Sequence, residues 1–151
     1  MLTLQPDIFL NQCYLAAVFP DFVTYVLPPF PSYANVPTRR AQAGDTIVLF
    51  GTGLGPVSPG VPSGEIATEA SPLAAPLKVS FTGYAGTVFG TVTYAGVVPG
   101  TLGLYQVNVV VPEISLPPAE TFDDFVSVQV LVDGVPAQAN SPLSLLLPFT
   151  L

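Results

Sequence analysis

Proline is the feature that most limits what this 151-residue sequence can fold into, because 18 prolines recur every few residues through most of the chain. The proline ring fixes φ and removes a backbone N–H donor, which excludes long helices and, where prolines are dense, central strands. Residues 27–37 hold four prolines and predict an extended crossing segment. We therefore divide the chain into an apolar, proline-punctuated lead-in (1–36), packed on or exchanged with a neighbour, and a β-sandwich domain (37–151).

Alternation of apolar and polar residues predicts strands in the rest of the chain. In the clearest cases every second residue is apolar, which places one face in a core and the other towards solvent. The segments concerned are 77–82, 87–94, 104–111 and 125–132. The all-apolar run at 46–50 instead predicts a strand that is buried on both faces. Asp133-Gly134 predicts a hairpin turn, and Gly90 inside a strand predicts a bulge or a close backbone approach. The expected fold is all-β, an Ig-like antiparallel sandwich of about seven to nine strands with a long loop at 51–76.

Charge and residue usage exclude several classes of function. The net charge is −7 with only three basic residues, which cannot form the positive surface that nucleic acid requires. Histidine is absent, which removes the common catalytic triads and the commonest metal ligand. The acidic cluster of Glu120, Asp123 and Asp124 lacks the spacing of a calcium loop. We predict no catalytic residues, no cofactor, no metal and no enzymatic activity.

A glycine-rich segment follows the strand predicted at 46–50. Gly51, Gly53 and Gly55 superficially match the strand and turn of a dinucleotide site, which requires a helix directly afterwards. Pro56 and Pro59 prevent that helix, so we interpret the three glycines as structural turn residues that allow positive φ. The uncharged stretch 79–112 alternates polar with apolar residues and contains six glycines, so it predicts strands and no membrane span.

Scarcity of charge raises the question of how the surface is hydrated. Charged residues make up 9% of the chain and hydrophobic residues 50%. Either threonine and serine hydrate the surface, or part of it is buried between subunits. The C-terminal tail lacks charged gatekeepers, and both it and the lead-in are predicted to complete a neighbouring subunit by strand addition. Their residues are Ile8, Phe9 and Leu10 in the lead-in, and Leu143, Leu145, Leu147 and Phe149 in the tail. Alternatively, the tail is the last strand of its own sandwich.

Several runs, in this order, resemble the Solibacter-type uncharacterised C-terminal domain of secreted proteins of Acidobacteria. They are Ala43 to Pro56, the signature Gly103-Leu104-Tyr105-Gln106-Val107-Asn108, and Val132 to Ala137. The resemblance implies an Ig-like β-sandwich, a bacterial extracellular or cell-surface location, and no catalytic residues.

Taken with the composition, the resemblance leads to one expected function and one alternative. We expect a non-enzymatic structural protein, a self-associating subunit of a filament or surface assembly whose main partner is itself. The alternative is a C-terminal binding or spacer module of a large secreted protein that recognises an extracellular glycan or a sorting partner.

Overall fold

The computed structural model describes residues 4–7, 12–15, 17–27, 35–83, 85–114, 125–137 and 145–148. Every regular element in these ranges is a β-strand, which confirms the all-β prediction. In chain order the strands are β1 (Leu4–Asp7), β2 (Gln12–Leu15), β3 (Ala17–Val18), β4 (Tyr25–Val26), β5 (Thr38–Arg39), β6 (Thr46–Thr52), β7 (Ser71–Pro72), β8 (Leu77–Gly83), β9 (Gly86–Val97), β10 (Leu104–Val110), β11 (Phe125–Val132), β12 (Val135–Pro136) and β13 (Leu145–Pro148). The described ranges contain no helix able to cross a membrane.

Strand pairing links these elements in the order β1-β2-β13-β11-β8-β9-β10-β6-β3-β4-β5, with β12 beside β11 and β7 beside β9. Most neighbours are antiparallel, but β13 pairs with β2 and β4 pairs with β5 in parallel. The sheet is therefore mixed, whereas the sequence predicted antiparallel pairing throughout. Parallel neighbours need a long connection, and eleven residues of sequence separate β4 from β5. Most of the crossing segment predicted at 27–37 lies outside the described residues.

Strand β9 belongs to two sets of pairs. Its first half, up to Gly90, pairs with β8, and its second half, from Thr91, pairs with β10. A strand that changes partners in this way is typical of the corner between two packed sheets. The arrangement is consistent with the predicted Ig-like sandwich.

Gly90 lies where β9 changes partners. A Cβ atom built there would lie 2.6 Å from Val109 Cγ2, 2.8 Å from Phe81 Cε2 and 2.8 Å from the Val110 carbonyl oxygen. The close approach predicted for this glycine is confirmed. The register of β9 and β10 also shifts between Asn108 and Val109, as a bulge would cause.

The core is built from the apolar faces that the alternation predicted. Val79 and Phe81 of β8 are buried together with Val107 and Val109 of β10. Strands β8 and β10 are not neighbours in the sheet, so one apolar cluster joins strands from both sides of β9. The same cluster contains Ile47 and Leu49 of β6 and Val126, Val128 and Val130 of β11.

Strand β6 is buried on both faces, as its all-apolar sequence predicted. Ile47, Val48 and Leu49 are all buried, and β3 pairs alongside with Val18 opposite Val48. Because β3 belongs to the lead-in, the described residues 17–27 form part of the same sheet as the domain. The hairpin predicted at Asp133-Gly134 is also confirmed: both residues have positive φ, and β11 pairs with β12 across them.

Candidate functional site

Of the residues predicted to mediate self-association, only Leu145 and Leu147 lie within the described ranges. Both belong to β13, which pairs antiparallel with β11 and, at Leu146, parallel with Tyr14 of β2. The tail strand therefore has partners on both sides within its own chain, as the alternative reading of the tail expected. The other predicted residues lie outside the described ranges, namely Ile8, Phe9, Leu10, Leu143 and Phe149.

The glycine-rich loop begins later than the sequence predicted. Gly51 is a buried strand residue of β6, opposite Tyr105 of β10, and is not a turn residue. Gly53 and Gly55 do have positive φ, 68° and 119°. Pairing with β10 continues to Thr52, so β6 ends where the ladder ends and the chain turns at Gly53.

The family-like signature, Gly103 to Asn108, lies beside the glycine-rich loop. Gly103 has a positive φ of 66°, and Leu104 to Asn108 form most of β10. The Tyr105 hydroxyl donates a hydrogen bond to the carbonyl oxygen of Gly55. Val107 lies on the same face of β10 as Tyr105 and is buried in the core. On the opposite face, Gln106 Nε2 donates a hydrogen bond to Asn108 Oδ1 at 2.8 Å. The signature thus anchors the glycine loop.

A groove of about 310 Å³ lies between the glycine- and proline-rich loop 55–67 and the turn that joins β9 to β10. Tyr105 and Leu102 line one side, and Glu65 supplies a carboxylate. Ala67 ties the two segments together, because its N–H donates to the Thr101 carbonyl and its carbonyl accepts from Gly100. On either side of this contact, Ile66 and Leu102 are 61% and 64% exposed.

A second apolar surface lies along residues Gly86–Gly90, here termed the β9 edge. Among the described residues, this half of β9 pairs only with β8. Val88 is 41% and Phe89 55% exposed. The alternation at 87–94 predicted an ordinary strand with Val88 and Phe89 on opposite faces. Alternation sets the face of a side chain but does not show whether the strand has a second neighbour. The absence of charge from 86–90 is the one sequence signal that could have revealed this surface.

Two charged side chains lie near opposite ends of the β9 edge. Lys78 Nζ is 5.5 Å from the centre of the Phe89 ring. Glu113 lines an open cavity of about 440 Å³ together with Ile114 and residues 85–88. The edge therefore has a cation near its Phe89 end and a carboxylate beside its Gly86 end.

A charged cluster joins the lead-in to β6. The Arg39 guanidinium lies 3.5 Å from the centre of the Phe19 ring and donates to both carboxylate oxygens of Asp45, at 2.8 and 3.1 Å. The hydrogen bond from Arg39 lowers the pKa of Asp45 below its usual value. The Asp21 pKa is also lowered, chiefly by the hydrogen bond from the Thr24 hydroxyl. The carboxylates of Asp21 and Asp45 have hydrogen-bond partners within this cluster, and the cluster lines neither the groove nor the β9 edge. We therefore interpret it as structural.

Metal-binding chemistry finds no support in the part of the chain that the structure describes, where no group of three metal-ligating side chains occurs. The acidic residues considered from the sequence, Glu120, Asp123 and Asp124, lie outside that part. The arrangement offers two surfaces for contact, the groove and the β9 edge.

No family model, curated protein or solved structure matches this chain.

Proposed function

We propose that this chain is a non-enzymatic, self-associating β-sandwich subunit of an extracellular filament or surface assembly. The observation that carries the proposal is the distribution of the eight large apolar side chains that are exposed among the described residues, six of which fall in three pairs at separate places. Phe22 and Val23 are adjacent in the turn before β4, Ile66 and Leu102 flank the groove, and Val88 and Phe89 lie on the β9 edge.

Several apolar patches favour an assembly over a simple dimer. A single twofold contact closes after two copies, whereas further contacts on other surfaces allow growth into a filament or layer. The chain has only 3 basic and 10 acidic residues to keep such patches apart in solution. Apolar burial and main-chain pairing would supply the affinity of each contact.

The terminal segments have a smaller part in this proposal than the sequence predicted. Exchange of β13 between subunits would first require its release from β11 and β2. Exposed patches need no such release, so we place the contacts there. The extracellular location rests on the family resemblance.

The test is light scattering combined with negative-stain electron microscopy of the full chain, over a range of protein concentrations. Regular fibres or large closed assemblies are expected. Ile66→Lys should shift the onset of assembly to higher concentration, because it places a charge in an apolar contact. Thr68→Lys is the matched control, since Thr68 is also exposed and lies two residues away. A monomer of 15.7 kDa at every concentration would overturn the proposal.

The groove beside Tyr105 favours a second candidate, a module that binds extracellular glycan. Aromatic rings and loop backbone groups around a concave surface suit ligand recognition. Titration of the chain with soluble polysaccharides by calorimetry tests this candidate. Binding that Leu102→Ala weakens and Val135→Ala leaves unchanged would support it, because Val135 is exposed but lies outside the groove. The absence of binding to any glycan would count against it.

A further inference from the structure

We infer that the face of β10 turned away from the core is a binding surface for a neutral, extended polysaccharide chain. This surface, here termed the amide face, consists of Phe50, Tyr94, Gln106 and Asn108. The inference does not depend on the proposed self-association. It also differs from the glycan candidate above in its site, because none of these four residues lines the groove.

Two residues of the family-like signature have no part in the core. Tyr105 holds the glycine-rich loop and Val107 is buried in the core, both on the inward face of β10. Gln106 and Asn108 lie on the opposite face and are only half-buried. Strand β10 thus presents two amide side chains, two residues apart, on a surface that core packing does not require.

The amide pair is held in place and keeps hydrogen-bonding groups for a ligand. Gln106 Nε2 donates to Asn108 Oδ1 at 2.8 Å, which restricts both side chains. Among the described residues, this bond leaves the side-chain carbonyl oxygen of Gln106 and the amide hydrogens of Asn108 without a partner. An acceptor beside a donor group matches neighbouring hydroxyls of a sugar ring, because each hydroxyl both donates and accepts.

Aromatic side chains flank the amide pair on both neighbouring strands. Tyr94 of β9 is opposite Asn108, and Phe50 of β6 is opposite Gln106. The ring of Phe22 extends the apolar end, with its centre 6.4 Å from that of Phe50. Since neighbouring strands lie about 4.8 Å apart, β6 and β9 are about 10 Å apart across β10. A short sugar chain laid across the strands therefore meets an aromatic ring on each side of the amides.

Tyr94 lies along its strand and does not stand away from the sheet. Its hydroxyl donates to the Val97 carbonyl oxygen at 2.9 Å, and a Cβ atom built at Gly96 would lie 2.7 Å from the same hydroxyl oxygen. The side chain therefore reaches over Gly96, which has no side chain to prevent it. Burial raises the pKa of Tyr94, so the hydroxyl stays protonated and keeps this bond. The ring is thus fixed in position before a ligand arrives.

The chemistry of the amide face selects the class of ligand. All four side chains are uncharged and keep part of their surface in contact with solvent, and Thr91 and Thr93 beside them on β9 are exposed. A surface of aromatic rings and amides offers no ion pair to an acidic sugar or a charged peptide. An extended neutral glycan supplies both hydroxyl groups for the amides and C–H faces for the rings.

Calorimetric titration of the full chain tests the inference, at a protein concentration below the onset of assembly. The probes are cellohexaose and mannohexaose, with an oligogalacturonate as the acidic comparison. We expect a neutral probe to bind and the acidic one to bind more weakly. Gln106→Ala and Asn108→Ala should each weaken binding by about fivefold to tenfold, as loss of one hydrogen bond would cause. Gln129→Ala is the matched control, because Gln129 is an exposed amide on β11 and should leave binding unchanged.

The outcomes separate the amide face from the groove and from self-association. Binding that Leu102→Ala weakens and Gln106→Ala does not would place the glycan in the groove and overturn the inference. Equal weakening by Gln129→Ala, binding of the acidic probe alone, or no binding of either neutral probe would overturn it as well. Glycan binding by a chain that stays monomeric in light scattering would refute the filament and support the amide face. Circular dichroism of each variant confirms that the fold is retained.

Discussion

Replacing Gly90 by alanine tests the account of how β9 passes between its two partners. The added methyl group would lie within 3 Å of three atoms: Val109 Cγ2, Phe81 Cε2 and the Val110 carbonyl oxygen. Phe81 and Val109 are fully buried, and the carbonyl belongs to the neighbouring strand. No single side-chain rotation therefore relieves all three contacts, and β9 must move away from β10 or the core must rearrange.

The expected cost follows from two opposing effects. Overpacking a close-packed core costs about 1–3 kcal/mol. Alanine also reduces the conformational freedom of the unfolded chain, which returns about 0.4–1 kcal/mol. We expect Gly90→Ala to lower the free energy of unfolding by about 1–2 kcal/mol, with a larger loss for Gly90→Val because its two extra methyl groups enter the same space.

Urea denaturation followed by circular dichroism measures this loss. With a slope of about 2 kcal/mol per molar urea, the midpoint should fall by about 0.5–1 M. Gly60→Ala is the matched control, because the nearest atom to a Cβ there is the Val57 carbonyl oxygen at 3.9 Å. Its midpoint should stay the same or rise slightly. An unchanged midpoint for Gly90→Ala would refute the close approach of the strands at this position.

Three further changes test other parts of the structure. The lowered pKa of Asp45 means that its ion pair with Arg39 stabilises the fold above the unfolded pKa of about 3.9 and is lost as pH falls through the lower folded value. Asp45→Asn should therefore cost about 1 kcal/mol or less at pH 7 and progressively less as pH falls below that unfolded value, as urea titrations at several pH values would show; a cost that does not change with pH would contradict the ion pair. Gly134→Ala should lower the melting temperature, because a φ of 77° costs an L-residue about 1 kcal/mol; an unchanged value would exclude the assigned turn. Tyr105→Phe should cost about 1 kcal/mol in urea by removing the hydrogen bond to Gly55, and no loss would show that this bond does not hold the loop.

Local patterns in the sequence were enough to predict the strands of the core. Val126, Val128 and Val130 alternate with Ser127 and Gln129, and only one register buries the valines. Turn chemistry was equally informative at Asp133-Gly134, where both residues must take positive φ.

Features that depend on distant partners could not be predicted in this way. The contact between Tyr105 and Gly55 joins residues 50 positions apart, and nothing in either local sequence specifies it. The exposure of Val88 was hidden for the same reason, because Val88 has the same local pattern whether or not another strand covers its edge. The parallel pair of β4 and β5 depends on the path of the chain between them.

Pairing of β2 with β13 has a consequence for the order in which the fold forms during synthesis. Tyr14 and Leu146 meet although more than 130 residues separate them, so the chain between them must be made before this pair can close. Until β13 leaves the ribosome, β11 lacks one of its neighbours and β2 has only β1. Unpaired edges on a nascent chain are where misassembly begins. These edges are therefore most exposed in the interval before β13 is made, when a chaperone would have the greatest effect on yield.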